Sequence, residues 1–211
     1  MEGADDQPTG RQTGRDAQRR QTRQRVYAAA VAEFKRVGLA GADVGVIAKE
    51  AGVARGTFYF HYPTKEHALA ELERAEEARL AGQLTRFMAE PHTLAEVLGE
   101  IIRLMTVMER RVGRELFREM LGMHFSPRRP DVLPGADQWG DYPVMLLSIE
   151  AFERARERGE VYPGANTLHS AQFFMLGLYA VLITSHGQPK AVRAGIIDNF
   201  VATVLRGVAR H

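Results

Sequence analysis

The chain has 211 residues, 45% of them hydrophobic, with 28 Lys and Arg against 26 Asp and Glu, enough apolar surface for one substantial core or two small ones. It contains no cysteine, which excludes disulfides, thiolate metal sites and cysteine nucleophiles. The opening MEGADDQPTGRQ lacks the apolar stretch of a secretory signal, so a cytoplasmic protein is expected.

Charge is modestly uneven. Through His67 there are 11 Lys and Arg against 8 acids, and from Ala68 onward 17 against 18. Residues 1–18 are rich in Gly, Gln, Asp and Arg without apolar periodicity, and they are expected to form a basic arm that is disordered without DNA. Arg11, Arg15, Arg19, Arg20, Arg23 and Arg25 lie just before or within the first helix. Arg11 and Arg15 read as a solvated tail. The cluster from Arg19 to Arg25 suits phosphates, with Arg23 the candidate contact.

The first helix is predicted from Arg19 to Val37. Val26, Ala30, Phe34 and Val37 form its buried stripe and Gly38 its stop. Next comes DVGVIAKEAGVARGTFYFHYPTK, Asp43 to Lys65. Val44, Ile47, Ala48 and Ala51 fall at i, i+3, i+4 and i+7, a helical face that Asp43 can cap. Gly52 can take the positive φ of a sharp turn before a second helix starts near Ala54. Pro63 ends that helix.

Helix, tight turn with Gly, helix is the shape of a DNA-binding helix-turn-helix, although an ordinary helical hairpin has the same pattern. The second helix offers Arg55, Thr57, Tyr59, Phe60 and His61 as hydrogen-bonding and flat groups, while Val53 and Phe58 pack inward. Gly56 weakens a helix by roughly 1 kcal/mol, which suggests that something approaches the backbone there. The expected core of this domain is Val26, Ala30, Phe34, Ile47, Ala48, Val53 and Phe58.

The run IAKEAGVARGTFYFHYPTKEHAL, with AAAVAEFKRVGLAGADV before it, closely resembles the signature of TetR-type transcriptional regulators. The resemblance implies an all-α homodimer: a three-helix helix-turn-helix domain, here residues 19–65, and a larger helical domain, residues 66–211, that binds a small molecule and dimerises. It also implies that Lys65 contacts DNA phosphate, since a cation at a helix start needs an anionic partner. Two positions depart from the family pattern. Asp43 stands where Thr is common and would repel phosphate, and Gly45 replaces a position that is often basic or polar.

Beyond Thr64 a helix is predicted to about Glu90, with Leu69, Leu72, Leu80, Leu84 and Phe87 as a broken apolar face and a role as a lever shared by both domains. Helices follow from Thr93 to Glu109, from about Val112 to His124 and from about Tyr142 to Arg158. Residues 125–140, with three prolines, read as a loop; in the resembled family it lies near the ligand entrance. Val161 to Pro189 contains no charged residue, and its apolar heart, Phe173 to Ile183, is shorter than the ~20 residues that span a bilayer. No membrane association is expected. The last helix carries Val192, Ile196, Ile197, Phe200, Val201, Val204, Leu205 and Val208. The resemblance makes the final two helices the dimer interface.

Arg55 is suited to reading guanine and Phe60 to touching thymine methyl groups, with an inward-packing Phe60 left open. A dimer would place two such helices in successive major grooves roughly 34 Å apart and read a near-palindrome. Seven of the eight methionines lie between Met88 and Met175. By analogy with the family's pocket, Met105, Met108, Phe117, Met120, His124, Trp139 and Phe174 are the candidates for an apolar or aromatic effector, against simple core packing. No HExxH, Glu-x-x-His, GxSxG, P-loop or GxGxxG is present, so catalysis, cofactor and metal are not expected. The expected function is a transcriptional repressor of palindromic operator DNA released by a small-molecule effector.

Overall fold

The computed structural model describes residues 10–124, 126, 130–131 and 142–209. Among them are nine α-helices and no strand, in two compact units divided between Leu69 and Ala70.

In the first unit, α1 (Gly10–Gly41) is interrupted at Gly38, whose φ of 73° ends the regular helix where the sequence placed its stop. The helix begins at Gly10, ahead of the apolar stripe. The part of the basic arm from Gly10 is therefore helical here, not disordered, and residues 14–21 are all exposed, held by the intrinsic propensity of Arg, Gln and Ala. Val26, Ala30 and Phe34 are buried, but Val37 is exposed, because the stripe turns off the core in the last turn before the break. The helix α2 (Val44–Glu50) buries Val44, Ile47 and Ala48. It closes in a Schellman turn: Gly52 N–H donates to the Lys49 carbonyl, Val53 N–H to that of Ala48, and Gly52 has φ 65°. Then α3 (Arg55–His61) packs on α2 through Phe58. Val53, expected in the core, is half-buried, and its place is taken by Tyr62, fully enclosed with its ring 5.8 Å from that of Phe58.

The helix α4 (Lys65–Phe87) buries Leu69, Leu72, Leu80 and Leu84. In the second unit, a capping box of Thr93 and Glu96 starts α5 (Leu94–Val112), whose buried face includes Ile101, Leu104, Met105 and Met108. Gly113 separates it from α6 (Arg114–Met123). Of the proline-rich segment, residues 126, 130 and 131 are described and none is helical. The remaining helices are α7 (Pro143–Glu157), α8 (Thr167–Thr184) and α9 (Lys190–Val208). Here α8 packs on α6, α7 and α9. It is longer than the apolar heart suggested, and its 18 residues are long and apolar enough to cross a membrane by length and composition. In the fold, Ala171, Phe174, Met175, Leu178 and Leu182 are buried in the domain core. By contrast, α9 has no buried residue.

Candidate nucleic-acid interface and interior polar cluster

The short helix α3 has two faces of opposite chemistry. Phe58 and His61, three residues apart, point inward. Arg55 is exposed, Tyr59 and Phe60 are 44% and 65% exposed, and Thr57 is half-buried. Phe60 thus faces outward, its ring 5.0 Å beneath the Arg19 guanidinium, an exposed cation–π pair. His61 is buried, so its ring is not on the outward face. A Cβ added at Gly56 would meet nothing within 4 Å. None of the described residues needs that glycine to be small.

Two expected phosphate contacts are engaged inside the protein. Lys65 Nζ donates to the carbonyls of Leu39 (2.8 Å), Ala42 (2.9 Å) and Ala40 (3.3 Å), which uses all three ammonium protons. In place of an anion, the Lys65 ammonium is met by the carbonyl dipoles of the cluster after Gly38. Arg23 Nη1 donates to the His61 carbonyl at 3.4 Å, and its guanidinium lies 4.7 Å over the Tyr62 ring. Both side chains hold the domain together.

Asp43 and Gly45 form a matched pair. Asp43 Oδ1 accepts from Gly45 N–H at 2.5 Å and from Val46 N–H at 3.2 Å, capping α2. A Cβ at position 45 would stand 2.8 Å from that oxygen. The glycine that weakens the helix is what permits so close a cap.

In the second unit, Met105, Met108, Phe117, Met120 and Phe174 are all buried core side chains, with Phe174 stacked 5.8 Å from Phe200. Trp139 lies outside the described residues. His124 sits elsewhere, in a polar cluster. Its Nε2 is 2.8 Å from Glu73 Oε1, its Nδ1 is 3.3 Å from the Tyr142 hydroxyl, and its ring stacks on Tyr179 at 5.8 Å. Glu77 Oε1 accepts from Val144 N–H at 2.9 Å. Burial pushes the Glu77 carboxyl up to about 7, against the pull of that N–H and of His124, with the Glu73 carboxylate adding repulsion. Burial likewise holds the Tyr179 phenol well above its ordinary range, helped by the same two carboxylates. Glu77, His124, Tyr142 and Tyr179, with Met145 and Met175, border a cavity of ≈ 10 Å³, room for about one water.

Sequence reasoning missed Glu73 and Glu77. The signal was available for Glu73: it lies four residues after Leu69 on the same helical stripe, and an acid in an apolar stripe is buried with a partner.

Residues 26–72 match the family model described as "Bacterial regulatory proteins, tetR family". Over 116 residues the chain is 32% identical to the HTH-type transcriptional regulator AcrR of Shigella flexneri, which covers 54% of this chain and 52% of that protein. The chain thus spans about half the length of this curated relative. Among solved structures, FadR of Thermus thermophilus, a TetR family repressor in complex with lauroyl-CoA, superposes with a TM-score of 0.70 at 23% identity, covering 90% of this chain and 96% of that one. SmeT, the repressor of the Stenotrophomonas maltophilia multidrug efflux pump SmeDEF, gives a TM-score of 0.61 at 20% identity over 89% and 90%. These likenesses carry the fold across nearly the whole described chain, and the matched segment coincides with the capped α2, the Gly52 turn and the two-faced α3. Over residues 26–72 the chain is thus similar to the tetR family of bacterial regulatory proteins, and over most of its length it shares the fold of solved regulators.

Proposed function

We propose that the protein is a non-enzymatic, cytoplasmic repressor that binds a near-palindromic operator as a homodimer and is released by a small apolar or aromatic ligand. The observation that carries this reading is the outward face of α3, where Arg55, Tyr59 and Phe60 are exposed beside a glycine that none of the described residues crowds. Arg55 and Phe60 have the chemistry to read guanine and thymine edges. Arg55, Thr57, Tyr59 and Phe60 carry the DNA contact, and His61, Lys65 and Arg23 position α3.

Dimerisation is supported by α8 and α9, which leave Phe173 71%, Val192 48%, Leu168 41% and Ile196 39% exposed. A second copy is the occupant that would bury them. Control by a ligand is supported by the neighbours' printed descriptions, among them a repressor holding lauroyl-CoA and one governing a drug efflux pump. Drug-sized ligands need about 300 Å³ or more. The cavity beside His124 is far smaller, so the core around Met105, Met108, Phe117, Met120 and Phe174 must rearrange to admit one. To move the dimer from 1:99 to 99:1, the ligand must prefer the released state by about 5.5 kcal/mol.

The test is retention of genomic fragments by the purified full chain, sequenced and compared with Arg55→Ala and Tyr59→Ala. A palindrome recovered with the native protein and lost in both variants supports the reading. Salt-sensitive retention without a common sequence in all three proteins would refute sequence-specific regulation.

A further inference from the structure

We infer that the cleft between α5, the start of α6 and the turn from α8 to α9 binds a diphosphate group. The inference goes beyond the proposed function: it gives the second domain an anion site separate from its apolar core, and binding is measured without DNA.

The cleft has a volume of ≈ 480 Å³, within the range of small-molecule sites. Its walls bring together Arg110, Arg114, Lys190 and Arg193 against a single acid, Glu109. This concentration of cations occurs in the part of the chain where acids slightly outnumber bases. Glu109 is spent on Arg193, 2.7 Å away, both side chains being largely enclosed. Arg193 Nε is nonetheless buried without a hydrogen-bond acceptor. Among the described residues, Arg110 makes one long bond, Nε to the Thr106 carbonyl at 3.4 Å, and Arg114 and Lys190 make none. The nearest acid on α6, Glu115, is engaged by Arg118 at 3.2 Å and His186 at 3.9 Å.

Arg114 and Lys190 are the first residues of α6 and α9, where the helix macrodipole is positive and a side-chain cation is unfavourable without an anion nearby. Neither helix start has a side-chain cap, so first-turn N–H groups remain to be satisfied. Four cations lining one cleft are complementary to a compact polyanion. Guanidinium forks match phosphate oxygens bidentately, which favours phosphate over carboxylate. The diphosphate is either free or carried by a nucleotide, and the experiment separates these sources.

The test is calorimetric titration of the full chain with inorganic pyrophosphate, ADP and coenzyme A, each at low and high salt, alongside a short duplex of random sequence. The variants are Arg114→Glu and Lys190→Glu, both at exposed positions, with Arg86→Glu on α4 as the charge-matched control. The expected result is salt-sensitive binding weakened about tenfold or more by either cleft variant and unchanged by the control. Equal affinity for all three probes identifies a free diphosphate as sufficient. Tighter binding of ADP and coenzyme A identifies a nucleotide-borne one. Absence of binding at about 1 mM, insensitivity to the two reversals, or loss of duplex binding alone in those variants overturns the inference. The last outcome would make the cleft a DNA surface. Failure of operator release leaves this measurement unaffected, and failure of diphosphate binding leaves operator recognition unaffected.

Discussion

Replacing Glu77 by Gln should change how the stability of the second domain depends on pH. The Glu77 carboxyl is enclosed, and burial raises it from 4.5 to about 7 in the folded state. Between those two values the folded protein holds a proton that the unfolded chain has released, so stability falls as pH rises through the window. The loss is complete above about pH 7 and, for a shift of roughly 2.5 units, amounts to about 3 kcal/mol. Glutamine keeps an oxygen to accept from Val144 N–H and has no proton to lose. Glu77→Gln should therefore match the native protein near pH 4 and exceed it by roughly 3 kcal/mol at pH 8, or about 6–12 °C in melting temperature. Urea titrations of both proteins followed by far-UV circular dichroism at several pH values measure the difference, in which all shared titrations cancel. A difference that stays constant within about 0.5 kcal/mol across this window refutes the account of Glu77 as a buried acid protonated on folding.

Lys65→Met removes three charge-assisted bonds to the Leu39, Ala40 and Ala42 carbonyls and should lower the stability of the first domain by roughly 2–3 kcal/mol, while leaving the salt slope of DNA binding unchanged. A slope reduced by about one, with native stability, would return Lys65 to the phosphate backbone. Gly45→Ala should destabilise the native protein, yet stabilise an Asp43→Ala background by about 1 kcal/mol, because only the Asp43 oxygen obstructs the new Cβ. Additive effects in thermal denaturation of the four proteins would contradict that coupling. Phe173→Glu places a charge on the most exposed large apolar side chain of α8 and should shift the protein to monomer in light scattering. An unchanged mass would mean that the dimer forms elsewhere.

The helix-turn-helix was legible because its determinants are local. Asp43 caps α2 within three residues, Gly52 turns the chain within two, and Pro63 stops α3 from the next position but one. His61 was expected on the DNA face because its side chain type suits that role, whereas its i+3 spacing from Phe58 places it on the inner face. Lys65 was illegible for a different reason: its partners are 23 to 26 residues earlier, in carbonyls exposed by the break at Gly38. Glu73 and Glu77 were hidden by the same long-range dependence, their partners coming from the ends of α6 and α7. The methionine and aromatic richness of the second domain was visible, but composition does not distinguish a packed core from a pocket, and here those side chains are packed.

The sparse burial of α9 has a consequence for the life of the chain. A helix with no fully buried residue in its own fold lies toward the weak end of the range of local opening energies. Its backbone amides should exchange with solvent before those of α5 or α7, and if a second copy covers it as proposed, its opening should slow as protein concentration rises. A dilute protomer would then be trimmed by proteases from its C-terminal end while a concentrated one is spared. The amount of regulator in the cell would thus influence its own half-life.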